Sequence, residues 1–392
     1  MAMAAKYLIV NPGSASKKYA LYEGDTQLIT AHFEQEDGQF IVTTTTADSN
    51  NKKSVNEAAF KSGINYFLQH LISEKILTDK ADVSAIGIRV VSPGSFFTQH
   101  QIINDDFKQQ LVAQQSSAPL HINPLLAELE QITAIFSPIP VVGVSDSAFH
   151  KTIAPPSRQY AIPQTDTARL DLYRFGYHGI SVESLLPQIE VLFDQLPSRI
   201  IVCHLGGGAS LTAVKDGKSI DNSMGYTPLE GLIMATRVGN IDAGALIKLS
   251  AANNLSLPEL EEYLNTKSGL LGLSEISGDI RELLAVESSN EQAQLALNSY
   301  ALSVKKYIGA YFALLNGLDL LVFTATVGER SSVMRSRICA DLTELGINLD
   351  DQLNQKVSFN TVISPTNSPV TIAVLTTDEM QSLAQQTRRL LS

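Results

Sequence analysis

The chain has 392 residues, 18% of them charged and 44% hydrophobic, with a formal net charge of −11. That composition excludes a disordered chain, and the length exceeds one ordinary core, so two domains are expected. The acidic balance argues against a nucleic-acid partner, and no apolar run reaches the roughly 18 residues that would place the protein in a membrane.

The N-terminus lacks a signal-peptide-like apolar core, so a cytoplasmic protein is expected. Cys203 and Cys339 are the only cysteines. Two thiols among apolar neighbours make no disulfide framework and no zinc spacing, and both are expected in the core.

The first element, YLIVNPGSASKKYALYEGD (7–25), reads as a hairpin whose tip holds Asn11, Gly13, Ser14 and Ser16. Such a tip is either a plain turn or a loop offering N–H and hydroxyl donors to a phosphate. QLITAHFE and QFIVTTTT follow as strands. Residues 55–75 carry Ala59, Phe60, Ile64, Phe67, Leu68, Leu71 and Ile72 at helical spacing, which predicts one helix. VSAIGIRVVSPGS then reads as a buried strand ending at a Pro-Gly breaker.

The second half repeats this order. SRIIVCHLGGGASLTAVKDGKSI (198–220) is again strand, Gly/Ser tip, strand and Asp-Gly turn. NEQAQLALNSYALSVKKYIGAYFALLNGL is a long amphipathic helix, and LDLLVFTATVGERS is a buried strand running into a small-residue loop. Two long copies of one unit point to duplication rather than a short-period repeat array. Like halves facing across a central cleft would bring both tips together, which favours the phosphate reading.

Several polar residues stand out from this frame. Arg89 lies in an apolar strand, where either a structural ion pair or a functional role accounts for it. His121 follows a buried-looking Leu120; Asp146 and His150 sit at a strand end. His178 lies between glycines, where backbone can approach a ligand closely, and Arg237 lies in a loop-rich segment. Together they suit phosphoryl transfer, which needs positioned anions and neutralised charge. Acyl hydrolysis fits poorly, because no Gly-x-Ser-x-Gly elbow is present.

Nearly the whole chain resembles the acetokinase family of the actin-like sugar-kinase superfamily. The resemblance is carried by NPGSASKK, GIRVVSPG, APLHINP, SDSAFH, FGYHGIS, CHLGGGAS, SIDNSMGYTPLEGLIMATRVGNIDAG, SGLLGLSEISGDIR, FTATVGERS and TTDEM. It implies an α/β fold of two duplicated ribonuclease H-like (actin-like ATPase) domains with a central cleft. One would span 1–149 plus 380–392, the other, nucleotide-binding, 150–379. The implied reaction is a reversible, magnesium-dependent transfer of the ATP γ-phosphoryl to acetate, giving acetyl phosphate and ADP, by a homodimer whose partners are a small carboxylate and a nucleotide. Open alternatives are pyrophosphate as donor, propionate or butyrate as acceptor, and a catalytically silent ligand-binding relative.

The resemblance also implies roles. Asn11 and Glu379 match the magnesium residues; Ser14, Ser16 and Lys18 match their phosphate-side neighbours. Arg89 and Arg237 match the guanidinium groups around carboxylate and phosphoryl, and His178 matches the donor to the phosphoryl oxygens, flanked by His121 and Asp146. Val91, Leu120, Tyr177 and Pro228 match the lining of an apolar acyl pocket. His204, Gly206, Gly207, Gly208 and Ser210 match the loop under the nucleotide phosphates; Asp279, Arg281, Thr326, Gly328 and Arg330 match the nucleoside site. The chain departs from the family pattern at Ile88, Ser92, Pro93, Ile122 and Val182, and at Tyr177, where the family has Phe. The family's Gly-Gly-Ile-Gly-Glu-Asn adenine loop reads Ala325-Thr326-Val327-Gly328-Glu329-Arg330 here.

Overall fold

The structure is a computed structural model that describes residues 5–13, 16–36, 38–358 and 360–391. It falls into two compact units, Met1–Ala148 with Asp378–Ser392, and Phe149–Thr377.

The first unit is built on a sheet of β1 (Lys6–Asn11), β2 (Ser16–Glu23), β3 (Thr26–Glu36), β4 (Gln39–Thr45), β5 (Asn50–Val55), β6 (Val83–Val90), β7 (Gln101–Ile102) and β8 (Val141–Ser145). Their order is β5-β4-β3-β2-β1-β6-β8-β7. β1 to β5 pair antiparallel as successive hairpins, whereas β6 joins β1, and β8 joins β6, in parallel. Parallel neighbours require crossovers, and the helices between them supply these. The first crossover is broken in two, Glu57–Lys61 and Gly63–Ser73, where the periodicity predicted one helix. The second segment opens on a glycine at a close approach. A Cβ on Gly63 would lie 2.6 Å from the hydroxyl of Tyr19, which donates to the fully buried Glu128.

The second unit's sheet holds β9 (Arg199–Leu205), β10 (Ala209–Lys215), β11 (Lys218–Asn222), β12 (Leu320–Thr324), β13 (Thr361–Val362) and β14 (Thr371–Val374). The order β11-β10-β9-β12-β14-β13 contains the same pattern as the first unit's β3-β2-β1-β6-β8: an antiparallel meander followed by two parallel strands. The duplication and the ribonuclease H-like class are therefore both present. The Asp216-Gly217 turn between β10 and β11 has positive φ at both residues, the backbone that an Asp-Gly hairpin supplies at low cost.

The helix Gly179–Phe193 packs Val182, Leu185 and Ile189 onto Ile200, Val202 and Val322. The long helix Glu291–Leu315 also packs on β9 and β10. Cys203 and Cys339 are both buried and free, as expected; burial raises both thiols, Cys339 to about 12. Among the described residues no helix is long and apolar enough to cross a membrane.

Candidate functional site

In the first unit the strand register builds a charged cluster. Arg89 on β6 lies opposite Val144 of β8, and Asp146, just past β8, donates its N–H to the Val90 carbonyl (2.9 Å). Arg89 Nη2 then reaches Asp146 Oδ2 at 3.0 Å and Nη1 reaches Glu379 Oε2 at 3.3 Å. Glu379 opens the helix Glu379–Leu391, which packs on β1, β6 and β8 because Gly87 makes room for it. A Cβ on Gly87 would lie 2.0 Å from Thr387 Oγ1. Asn11, at the end of β1, donates its amide to the same Glu379 oxygen (3.3 Å). Burial opposes the charge on Arg89, but Asp146 and Glu379 outweigh it and hold the guanidinium above its ordinary value. Its Nε is buried and bonded to nothing among the described residues.

Around this cluster, Ser16 shares a hydrogen bond with His32 (2.8 Å) and Lys18 is exposed on β2. Ser14 lies outside the described residues. Val91 is half-buried. His121 is half-buried in the first turn of the helix Pro119–Phe136. Leu120 is not buried as its setting suggested but 43% exposed. The helix points Ile122, Leu125 and Leu129 inward, which leaves Leu120 on the outer side.

In the second unit the β9–β10 hairpin carries the tip Gly206–Gly208, closed by the Gly206 N–H on the Gly208 carbonyl (3.0 Å). A Cβ on Gly208 would lie 3.5 Å from both His178 Nε2 and an Arg237 Nη, so the imidazole and the guanidinium flank one glycine. His178, at φ 61°, precedes the helix Gly179–Phe193. Its Nδ1 shares a hydrogen bond with Ser210 Oγ (2.9 Å), leaving Nε2 turned to the tip. The His204 ring stacks on it with centroids 4.0 Å apart and shares a hydrogen bond with Ser181 (2.7 Å). Arg237 donates to the Pro228 carbonyl (3.2 Å), and Pro228 is buried.

One positioning residue, Asn222, escaped the sequence reading, and another, His150, stood out there without an assigned role. Asn222 accepts from the Tyr177 N–H and donates to the Tyr177 carbonyl, while His150 donates to that carbonyl through Nε2. They fix the backbone that leads into His178; only their place in polar motifs marked them.

Beside the same tip lies a cavity of about 870 Å³, whose walls include Gly206, Gly207, Asp279, Arg281, Thr326 and Arg330. Asp279 caps the helix Ile280–Val286 and grips Arg281 in a fork, which holds its carboxyl below the usual range. Gly328 is off this wall, buried against Phe323 and the Cys203 carbonyl. Residues 325–330 are a short helix rather than the loop expected. Glu329 accepts the Ala325 N–H at its start (3.0 Å), and the buried Arg335 donates to the Gly328 and Glu329 carbonyls at its end.

Residues 6–385 match the model of the acetokinase family. The chain belongs to that family. It is 38% identical to the acetate kinase of Dictyoglomus thermophilum over 98% of this chain and 99% of the relative. Among solved structures it is similar to a propionate kinase from Francisella tularensis (34% identity, TM-score 0.90, 98% and 99% coverage). It is also similar to the acetate kinase of Porphyromonas gingivalis (32% identity, TM-score 0.87, 99% and 100% coverage). As an acetokinase-family protein the chain is a phosphotransferase.

Two of its departures from the acetokinase pattern acquire a structural reading. Ala325 stands where the acetokinase pattern has a glycine and lies at φ 64°, the left-handed region that costs an L-residue about 1–2 kcal/mol. The Tyr177 hydroxyl donates to the Tyr226 carbonyl at 2.6 Å, so the extra polar atom is satisfied inside the protein. Of the other departures, Ile88, Ile122 and Val182 are fully buried core residues.

Proposed function

We propose that the protein transfers the γ-phosphoryl of a nucleoside triphosphate, ATP in the family's reaction, reversibly to acetate. The carboxylate oxygen attacks the γ-phosphorus in line as the bond to the β-phosphate bridging oxygen breaks, giving acetyl phosphate and ADP. The acceptor is already ionised at neutral pH, so no general base is required. The observation that carries this reading is the grouping, within one unit, of a glycine tip, His178, Arg237 and a nucleoside-sized cavity. Gly206 and Gly207 would meet the phosphates, while Arg237 and the Nε2 of His178 would neutralise the transferred group. The cavity also favours a nucleotide over pyrophosphate, which would leave most of it unfilled.

Arg89 would serve a second anion, with Asp146 fixing its fork. Asn11 and Glu379 would hold magnesium through their hard side-chain oxygens, and so sparse a set suits an ion that keeps several waters. When bound, that ion supplies charge neutralisation on the phosphates. Tyr177 and Pro228 would bound the acyl group. One methylene is worth only ~1–3 kcal/mol in such a site, so propionate is expected as a slower substrate. A homodimer is supported by the helix Ala243–Asn253, which is rich in apolar residues yet buries none of them; Ile247 is 72% exposed.

Trapping acetyl phosphate as the hydroxamate, with acetate, magnesium and ATP or another nucleoside triphosphate, tests this reading. Turnover upholds it, and no product with any nucleotide, in either direction, overturns it.

A further inference from the structure

The second unit's cavity has a phosphate-facing end and a far end. At the first, a Cβ on Gly206 would lie 3.6 Å from that of Ala325. Five residues further along the helix Ala325–Arg330, roughly 7 Å of rise, Arg330 lines the same cavity together with the apolar Leu284 and Val333. Arg330 is exposed, and no hydrogen bond or ion pair holds its guanidinium among the described residues. The cavity's other guanidinium, Arg281, is already gripped by Asp279. One uncommitted planar fork therefore stands at the apolar end, where a base rather than a phosphate would lie.

We propose that Arg330 reads the base of the phosphoryl donor and favours a 6-oxopurine, guanine or hypoxanthine, over adenine; this rests on the reading that the cavity takes a nucleotide. The fork presents parallel N–H donors, which match the O6 and N7 acceptors on one edge of a 6-oxopurine. Adenine places an amino donor where O6 would be, so one N–H of the fork would face another donor. The family's Asn at this position carries both a donor and an acceptor and can satisfy that amino group, whereas an arginine has no acceptor.

Initial rates of acetyl phosphate formation with GTP, ITP and ATP, on the wild type, Arg330→Ala and Arg330→Asn, test this. The expected result is a kcat/KM that is similar for GTP and ITP and about tenfold higher than for ATP. Arg330→Ala should bring that ratio towards one, and Arg330→Asn should turn it towards ATP. Equal use of ATP and GTP by the wild type would uphold the activity and overturn the base preference. So would a ratio that survives Arg330→Ala, or an equal loss with both nucleotides, which would make Arg330 a stacking residue instead. Calorimetric titration of GDP and ADP separates the two readings further. Tighter GDP binding without turnover would keep the base preference while the activity fails.

Discussion

In the first unit, the cation at the strand end is compensated by the protein's own acids: Arg89 lies between Asp146 and Glu379, with Asn11 on the same Glu379 oxygen. In the second, His178 shares a hydrogen bond with Ser210, His204 with Ser181, and Arg237 donates to the Pro228 carbonyl. Both stand on the same five-strand pattern. The difference shows that duplicated topology repeats where groups can be placed, not which charges they carry. An acid-braced guanidinium is rigid and electrostatically settled. A guanidinium on a backbone carbonyl and an imidazole on a hydroxyl are aimed by those bonds towards the glycine tip.

The largest effect that would break this contrast is expected at Arg237. Arg237→Ala should lower kcat on the order of 10²–10³-fold in the hydroxamate assay, and an unaffected kcat would remove the second unit's cation from the chemistry. Asp146→Ala attacks the other side. It removes the buried partner of a largely buried guanidinium, so it should cost about 3 kcal/mol of stability by chemical denaturation. The sign is fixed by what remains: Glu379 alone is left to offset the burial of Arg89. The smallest effect is a gain. Ala325→Gly relieves the left-handed backbone at the start of its helix and should raise stability by about 1 kcal/mol.

Much of the frame was legible because period and punctuation coincided. The β1–β2 and β9–β10 hairpins, their small-residue tips and the parallel strands that follow are all local patterns. The pairing of Arg89 was one of two readings left open, since a cation inside an apolar strand needs either a counter-charge or a ligand. The need for glycine at residue 63, just after the break, was not legible, because it depends on the Tyr19 hydroxyl arriving from another strand. Residues 325–330 read as a loop because their small side chains carry little helical signal. What makes them helical is the Glu329 carboxylate at one end and Arg335, from the next helix, at the other. Leu120 was misjudged because an apolar residue beside a proline says nothing about which side of the helix faces in. The Glu379 contact joins residues 290 positions apart, and no local pattern signals it.

The most direct test of the second unit's cradle uses Gly207, where an added Cβ would meet no atom within 4 Å and no positive φ constrains the backbone. Gly207→Val should therefore fold with unchanged thermal stability while its side chain fills the space the phosphates need. Titration calorimetry with ADP and GDP on the wild type and Gly207→Val gives the answer. The account predicts binding to the wild type and at least a tenfold loss in the variant for both nucleotides; undiminished binding to a stably folded variant would contradict it.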